Sequence, residues 1–325
     1  MNLGYDKPLY LLPFDHRHSY VTGMFHFKPP LTPAEHDRVA RSKQIIYAGF
    51  EQAVARGVAR ECAGVLIDEE FGSDILRGAI ESRYVTALST EKSGSDEFEF
   101  EYGTTFAEHI EAFNPTFAKV LVRYNPEGDA ALNRRQIGRL KKLSDYCRTS
   151  GPRFMFELLV PATEAQLERV HRDKEIYDLQ LRPRLMMQTL ITLQDAGIEP
   201  DIWKIEGLGR REDCERMVAI ARRDGRREVG CIVLGRGADE KKVMNWLETA
   251  ASVIGFIGFA VGRTTFWDAV ADYEANKATR DEAASRIAHR YREWVTIFER
   301  ARAGHGFTQA IVNAIGPARA ISRRK

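Results

Sequence analysis

The sequence predicts a (β/α)8 barrel, a TIM barrel of the α/β class, with one additional C-terminal helix. Three observations lead there. Short apolar runs alternate with longer, charged segments of helical period almost from end to end, which indicates parallel strands joined by crossover helices. Eight such units can be counted, the number that closes a barrel. The 325 residues hold that barrel with a helix and tail to spare. An open doubly wound sheet is the alternative topology.

In chain order, strands are expected over residues 9–14, 64–67, 84–88, 117–122, 153–159, 202–205, 229–234 and 256–261, each a short apolar run. Helices are expected between them over 33–56, 71–79, 104–113, 129–147, 177–196, 211–223, 239–251 and 264–276, where charge and apolar residues recur at helical spacing. The polar, acidic segment 92–103 falls after the third strand and reads as a long loop on the top face. Residues 280–303 form a ninth periodic segment, a cover or oligomer contact beyond the barrel, and the periodicity fades from Gly304. The expected organisation is therefore one domain over 1–303 and a tail over 304–325.

Composition excludes several classes. Hydrophobic residues at 44% and charged residues at 29% are an ordinary globular balance. The net charge is +2 with the signs interspersed, so no nucleic-acid partner is expected. The basic end Arg319, Arg323, Arg324, Lys325 reads as solvated. Cys62, Cys147, Cys214 and Cys231 form no C-x-x-C pair, which argues against a thiolate zinc site or disulfide framework. Residues 1–7 lack a signal-length apolar stretch, and no run approaches the ~20 apolar residues of a membrane span. A cytoplasmic enzyme without a membrane partner, metal or cofactor is expected, with a homo-oligomeric assembly.

Strands of a covered parallel barrel should be almost purely apolar. Three consecutive strands break that rule: Phe117-Ala118-Lys119-Val120-Leu121-Val122, Phe154-Met155-Phe156-Glu157-Leu158-Leu159 and Ile202-Trp203-Lys204-Ile205-Glu206. An unpaired buried charge costs several kcal/mol or shifts its pKa, so three neighbouring intrusions imply a shared cavity. Asp15 after the first strand and Glu91-Lys92 after the third lie at the same C-terminal end, where barrel enzymes do chemistry. Asp15, Lys92, Lys119, Glu157 and Lys204 make up the expected constellation. A lysine framed by apolar residues and near other cations loses pKa and becomes nucleophilic toward a ketone. Ile202, Trp203 and Ile205 frame Lys204 most closely, which makes it the chosen Schiff-base amine. A structural ion pair of Lys204 with Glu157 or Glu206 is the competing reading.

The seventh strand runs into Leu234-Gly235-Arg236-Gly237 and the eighth into Ala260-Val261-Gly262-Arg263-Thr264. Loops after strands seven and eight of such barrels often hold phosphate through backbone N–H groups and a helix N-terminus. Gly235, Arg236, Gly237, Gly262 and Arg263 are the phosphate candidates. Gly258, Ala260 and Gly262, alternating along the eighth strand, are expected to leave room for a ligand.

The ordered fragments Phe14-Asp15-His16-Arg17, Glu91-Lys92-Ser93-Gly94, Lys119-Val120-Leu121-Val122-Arg123-Tyr124, Phe156-Glu157-Leu158-Leu159, Trp203-Lys204-Ile205-Glu206 and Gly262-Arg263-Thr264-Thr265-Phe266-Trp267 together resemble the tagatose-bisphosphate aldolases, a class I family. A nearer likeness is to the aldolase-like domain often fused to a sugar kinase in inositol catabolism. That domain is associated with cleaving 2-deoxy-5-keto-gluconate 6-phosphate to dihydroxyacetone phosphate and malonate semialdehyde. No kinase portion is expected here, because the first strand begins almost at once. The resemblance implies Lys204 as the Schiff-base lysine and Glu157 as acid/base. It also implies Asp15, Lys92 and Lys119 around the substrate hydroxyls and the carbinolamine, with His16, Arg17, Glu91 and Arg123 as further substrate contacts. Two departures matter: His16 stands where the family usually has Gln, and Gly235-Arg236-Gly237 where it has Ser-Ala-Gly.

Two other functions fit parts of the pattern. A zinc-dependent aldolase could draw on His16, His18 and His26 with Asp15 and Asp68, although the i, i+4 helical pair typical of such sites is missing. A sugar-phosphate-binding regulatory barrel would need the glycine-rich turns but neither Lys204 nor Glu157.

Overall fold

Eight parallel strands pair in chain order and the eighth closes on the first. The computed structural model describes residues 2–149 and 151–315, with 305–315 described by backbone alone. The strands are β1 (Leu9–Pro13), β2 (Ala63–Ile67), β3 (Val85–Ser89), β4 (Phe117–Arg123), β5 (Arg153–Leu159), β6 (Ile202–Glu206), β7 (Gly230–Leu234) and β8 (Phe256–Ala260). Each lies within one residue, at either end, of the apolar run that predicts it.

Alternation along these strands sorts side chains into two cores. One set points into the lumen: Leu9, Leu11, Leu66, Ala87, Phe117, Met155, Ile202, Ile232 and Ala260 form a separate buried cluster. The other set faces the helices and joins the larger outer core. Tyr5 closes the bottom, its ring edge-on to Phe117 at 5.1 Å, while Asp201 accepts hydrogen bonds from the backbone N–H of Gly4 and of Phe154, both at 2.8 Å. The lumen is thus packed solid below, so only its upper end is available to a ligand.

The outer elements are α1 (His18–Met24), α2 (Pro33–Ala55), α3 (Glu69–Glu81), α4 (Phe106–Phe113), α5 (Ala130–Thr149), α6 (Glu164–Arg169), α7 (Lys174–Ile176), α8 (Arg182–Asp195), α9 (Arg211–Ala221), α10 (Glu240–Ala251), α11 (Arg263–Glu274) and α12 (Arg280–Ile315). Thr32 opens α2 with a reciprocal bond to Glu35, and Asp68 and Asp239 cap α3 and α10. These caps satisfy N–H groups that a helix start leaves without partners. The expected helix over 177–196 begins instead as a π-turn, Tyr177–Leu181, before α8. Three short helices, α1, α6 and α7, have no long apolar period to predict them. Of these, α1 buries only Tyr20 and Val21, whereas α6 does carry a legible signal, the capping box Thr163/Gln166.

The tail expectation changes. Helix α12 continues past Ala303 to Ile315, so 304–315 is helix; residues 316–325 lie outside the described residues. The stretch carries no proline before Pro317, which leaves the helix free to propagate that far. Upstream, α12 is a cover packed along α2, α10 and α11. It buries Ile287, Tyr291, Trp294 and Phe298, and the Tyr291 hydroxyl donates to the carbonyl of Tyr10 at 2.6 Å. Gly49 permits the close approach to α2, since a Cβ there would meet Ile287 at 2.7 Å. Among the described residues no helix is long and apolar enough to cross a membrane.

Candidate active site

Above the apolar floor lies a cavity of about 380 Å³ at the C-terminal ends of the strands. Strand register builds its base. Glu157 on β5 and Lys204 on β6 are direct neighbours, and their side chains meet at 2.6 Å. Lys119 on β4 reaches the second oxygen of Glu157 at 2.8 Å, Asp15 at 2.7 Å and Glu91 at 2.8 Å. All five side chains are buried. Three carboxylates and two amines therefore share one chain of contacts: Lys204, Glu157, Lys119, and then Asp15 and Glu91.

The two lysines are not equivalent. Burial would lower the Lys119 pKa, but Asp15, Glu157 and Glu91 outweigh it and hold this ammonium well above the ordinary lysine range. Lys204 has one carboxylate partner. Burial pulls it below the ordinary range, Glu157 opposes, and the charge on Lys119 adds to the fall. The carboxylates differ likewise. Burial would raise Asp15 and Glu157, yet the lysines hold both below the usual carboxylate values. Glu91 goes the other way: burial raises it, and the pull of Lys119 does not compensate. This set can hold one amine neutral, one fixed cation, two ionised carboxylates and one carboxyl that keeps its proton to higher pH.

A second set of charges borders the first. Glu206 is buried at the end of β6 and receives Arg236 Nε at 3.0 Å, with Arg182 Nη1 at 3.7 Å. Arg236 also donates to Asp178 at 2.9 Å, and Arg182 to the same oxygen at 3.0 Å. Beside them, the backbone of Gly235 to Gly237 turns toward the start of α11. Arg236 and Gly237 adopt positive φ, 52° and 67°. The positive φ favours glycine at 237, and a Cβ there would lie 2.6 Å from the Arg263 guanidinium and push it aside. No side chain caps α11 at Gly262; Gly262 and Arg263 border the cavity.

The sequence profile of one protein family, described as an uncharacterized protein conserved in bacteria (DUF2090), matches residues 5–302. The chain belongs to this family. No curated protein matches it. Among solved structures, this DUF2090 barrel is similar to a fructose-bisphosphate aldolase from Plasmodium falciparum, crystallised with TRAP and an inhibitor (TM-score 0.61, 12% identity, 91% of each chain). It is similar also to a Corynebacterium glutamicum structural-genomics target (TM-score 0.52, 16% identity, 89% of this chain and 88% of that one). A third is a fructose-bisphosphate aldolase from Slackia heliotrinireducens (TM-score 0.50, 12% identity, 87% and 86%). At these identities the likeness is one of fold: an aldolase-like barrel.

Of the residues expected at the site of this DUF2090 protein, Asp15, Lys119, Glu157 and Lys204 converge at the base, and Glu91 joins them on Lys119. Lys92 does not. It stands at the cavity rim beyond the end of β3, more than half exposed and 3.6 Å from Glu99. The cation lowering Lys204 is therefore Lys119 alone of the two lysines expected beside it. Arg17 is buried, bonded to Glu101 at 2.5 Å and to the carbonyl of Glu91. Arg123, at the upper edge, donates to the carbonyl of Ser95 at 3.1 Å and so ties the 92–103 loop to β4. His16 borders both the amines and Gly262; burial pushes its pKa down to about 4, which leaves a neutral imidazole. Gly258 plays a different part from the one expected, since its missing Cβ would strike the Leu9 carbonyl at 1.7 Å. It serves strand contact, while Ala260 and Gly262 line the cavity. Asp68 pairs with buried Lys43 and caps α3, so it is committed to structure. Among the described residues no group of three or more His, Cys, Asp or Glu side chains is arranged to hold a metal. The Glu206–Arg236–Asp178–Arg182 network does not show in the sequence as a unit, because only Asp178 and Arg182 are near one another in the chain.

Proposed function

We propose that this protein is a Schiff-base aldolase cleaving a phosphorylated ketose or keto-sugar acid, with Lys204 as the amine. The observation that carries the reading is the asymmetry of the lysine pair. Lys119 is saturated by three carboxylates, whereas the buried amine of Lys204 shares one and falls below its ordinary pKa. An amine that gives up its proton more readily than an ordinary lysine, 2.6 Å from a carboxylate, suits attack on a ketone followed by dehydration.

Glu157 takes a proton from the Lys204 ammonium at 2.6 Å, the freed amine adds to the substrate carbonyl, and Glu157 returns that proton to the carbinolamine hydroxyl, which leaves as water to give an iminium. Lys119, a fixed cation, stabilises the carbinolamine oxygen and keeps Glu157 placed. The iminium draws electrons from the adjacent carbon–carbon bond, an aldehyde departs, and the enamine is protonated and hydrolysed to the ketone product. The phosphate is held at the Gly235–Gly237 backbone, the start of α11 and Arg263; Arg236, engaged by Glu206 and Asp178, shapes that turn. Among candidate substrates the sequence resemblance favours 2-deoxy-5-keto-gluconate 6-phosphate.

The test is trapping. Borohydride added with dihydroxyacetone phosphate should leave a reduced adduct on the Lys204 peptide by mass spectrometry. A labelled Lys119, or no adduct on any lysine, refutes the assignment.

A further inference from the structure

Three carboxylates surround the amines, and the mechanism above employs only one. Glu157 has both oxygens occupied, by Lys204 and by Lys119. Asp15 is bonded to Lys119. Glu91 differs from both. Its Oε1 accepts from Lys119 at 2.8 Å, while its Oε2 is buried with no hydrogen-bond partner among the described residues. The residue is only 9% exposed and lines the cavity. Its backbone is fixed as well: the carbonyl is held by buried Arg17, and the residue is bridged to Phe100 across the following loop. A buried carboxylate oxygen left open beside the reacting amines calls for an explanation, and a carboxyl that retains protons readily is suited to exchanging them.

We propose that Glu91 is a catalytic residue, the group that carries the proton between the departing hydroxyl and the enamine carbon. This rests on the Schiff-base reading above. In the Lys204 iminium, Glu91 Oε2 as carboxylate takes the hydroxyl proton from the carbon that leaves. The O–H electron pair becomes the aldehyde C=O, and the carbon–carbon pair moves into the enamine, neutralising the iminium nitrogen. Glu91, now protonated, delivers that proton to the enamine carbon. The iminium reforms, and water releases the ketone and the free amine of Lys204.

The test uses dihydroxyacetone phosphate alone, so no aldehyde need be known. In D2O the wild-type protein should place deuterium on the hydroxymethyl carbon, read by NMR, and borohydride should trap the Lys204 adduct. Glu91→Gln, which keeps an acceptor for Lys119, should form the adduct to the wild-type extent but exchange about a hundredfold more slowly. Glu91→Asp, which keeps the charge and withdraws the carboxyl, should also trap normally and exchange about tenfold more slowly. Exchange at the wild-type rate in both variants overturns the proposal. So does a loss of adduct in proportion to exchange, which would mean that Glu91 only positions Lys119. A wild-type protein that forms no adduct overturns the Schiff-base reading itself, and this inference with it.

Discussion

Strand β6 carries two buried ionisable residues two positions apart, Lys204 and Glu206, and each belongs to a different charge cluster. Lys204 faces Glu157, Lys119, Asp15 and Glu91; Glu206 faces Arg236, Arg182 and, through them, Asp178. Both clusters bury opposite charges at hydrogen-bond distance. They differ in the cation. Primary amines can lose a proton when burial and neighbours demand it, whereas guanidinium does not within the protein range. The first cluster can therefore change its charge during a reaction. The second keeps its two guanidinium charges and works as a clamp between β6, the π-turn before α8 and the turn after β7. Burial of charge alone does not mark an active site; burial of a charge that can be given up does.

The comparison can be broken at several points. The largest effect is expected from Lys204→Met, which should abolish the borohydride adduct and lower turnover more than about 10³-fold, while circular dichroism stays that of the wild type. Retained turnover would move the chemistry to another residue. Glu157→Gln should slow iminium formation by about 10²-fold, measured as the rate of adduct trapping at saturating dihydroxyacetone phosphate. In the clamp the loss should appear in stability instead. Arg182→Met leaves Glu206 without its buried cation and should cost about 3 kcal/mol in urea unfolding, with the adduct still forming. If stability is unchanged, the clamp is not structural.

The pH dependence sharpens the contrast between the lysines. Attack needs the neutral amine, so the trapping rate should rise with pH and level off below 10.5, the ordinary lysine value from which Lys204 is lowered. Lys119→Met removes a neighbouring cation that contributes to this lowering, and the limb should move to higher pH; an unmoved limb would show that Lys119 does not tune its neighbour. The smallest effect is expected at Arg236→Ala. That side chain is more than a third exposed, so its loss should leave stability within about 1 kcal/mol and raise KM several-fold through a looser phosphate turn.

Much of this was legible beforehand, for reasons that particular residues make plain. The eight strands could be read because a strand covered on both faces must be apolar over its whole length, and Lys119, Glu157 and Lys204 could be read as intruders on that pattern. Asp15 was legible from its place just after the first strand. Less visible was Glu91, read as a substrate contact; its seat on Lys119 depends on β3 lying beside β4. Lys92 and Glu91 are adjacent in sequence, yet one is exposed and the other buried. Arg236 reads in the sequence as a phosphate candidate; its contacts with Asp178 and Glu206 come from the fold.

The sequence by itself determined the barrel and the strands on which charge would be buried, because hydrophobic periodicity is a local property written along the chain. Only the tertiary structure decided which amine is crowded by carboxylates and which is nearly alone. That follows from electrostatics: the interaction of two charges depends on their separation and on the water between them. For Asp15 and Lys119, 104 positions apart in the chain and 2.7 Å apart in space, closure of the barrel sets both.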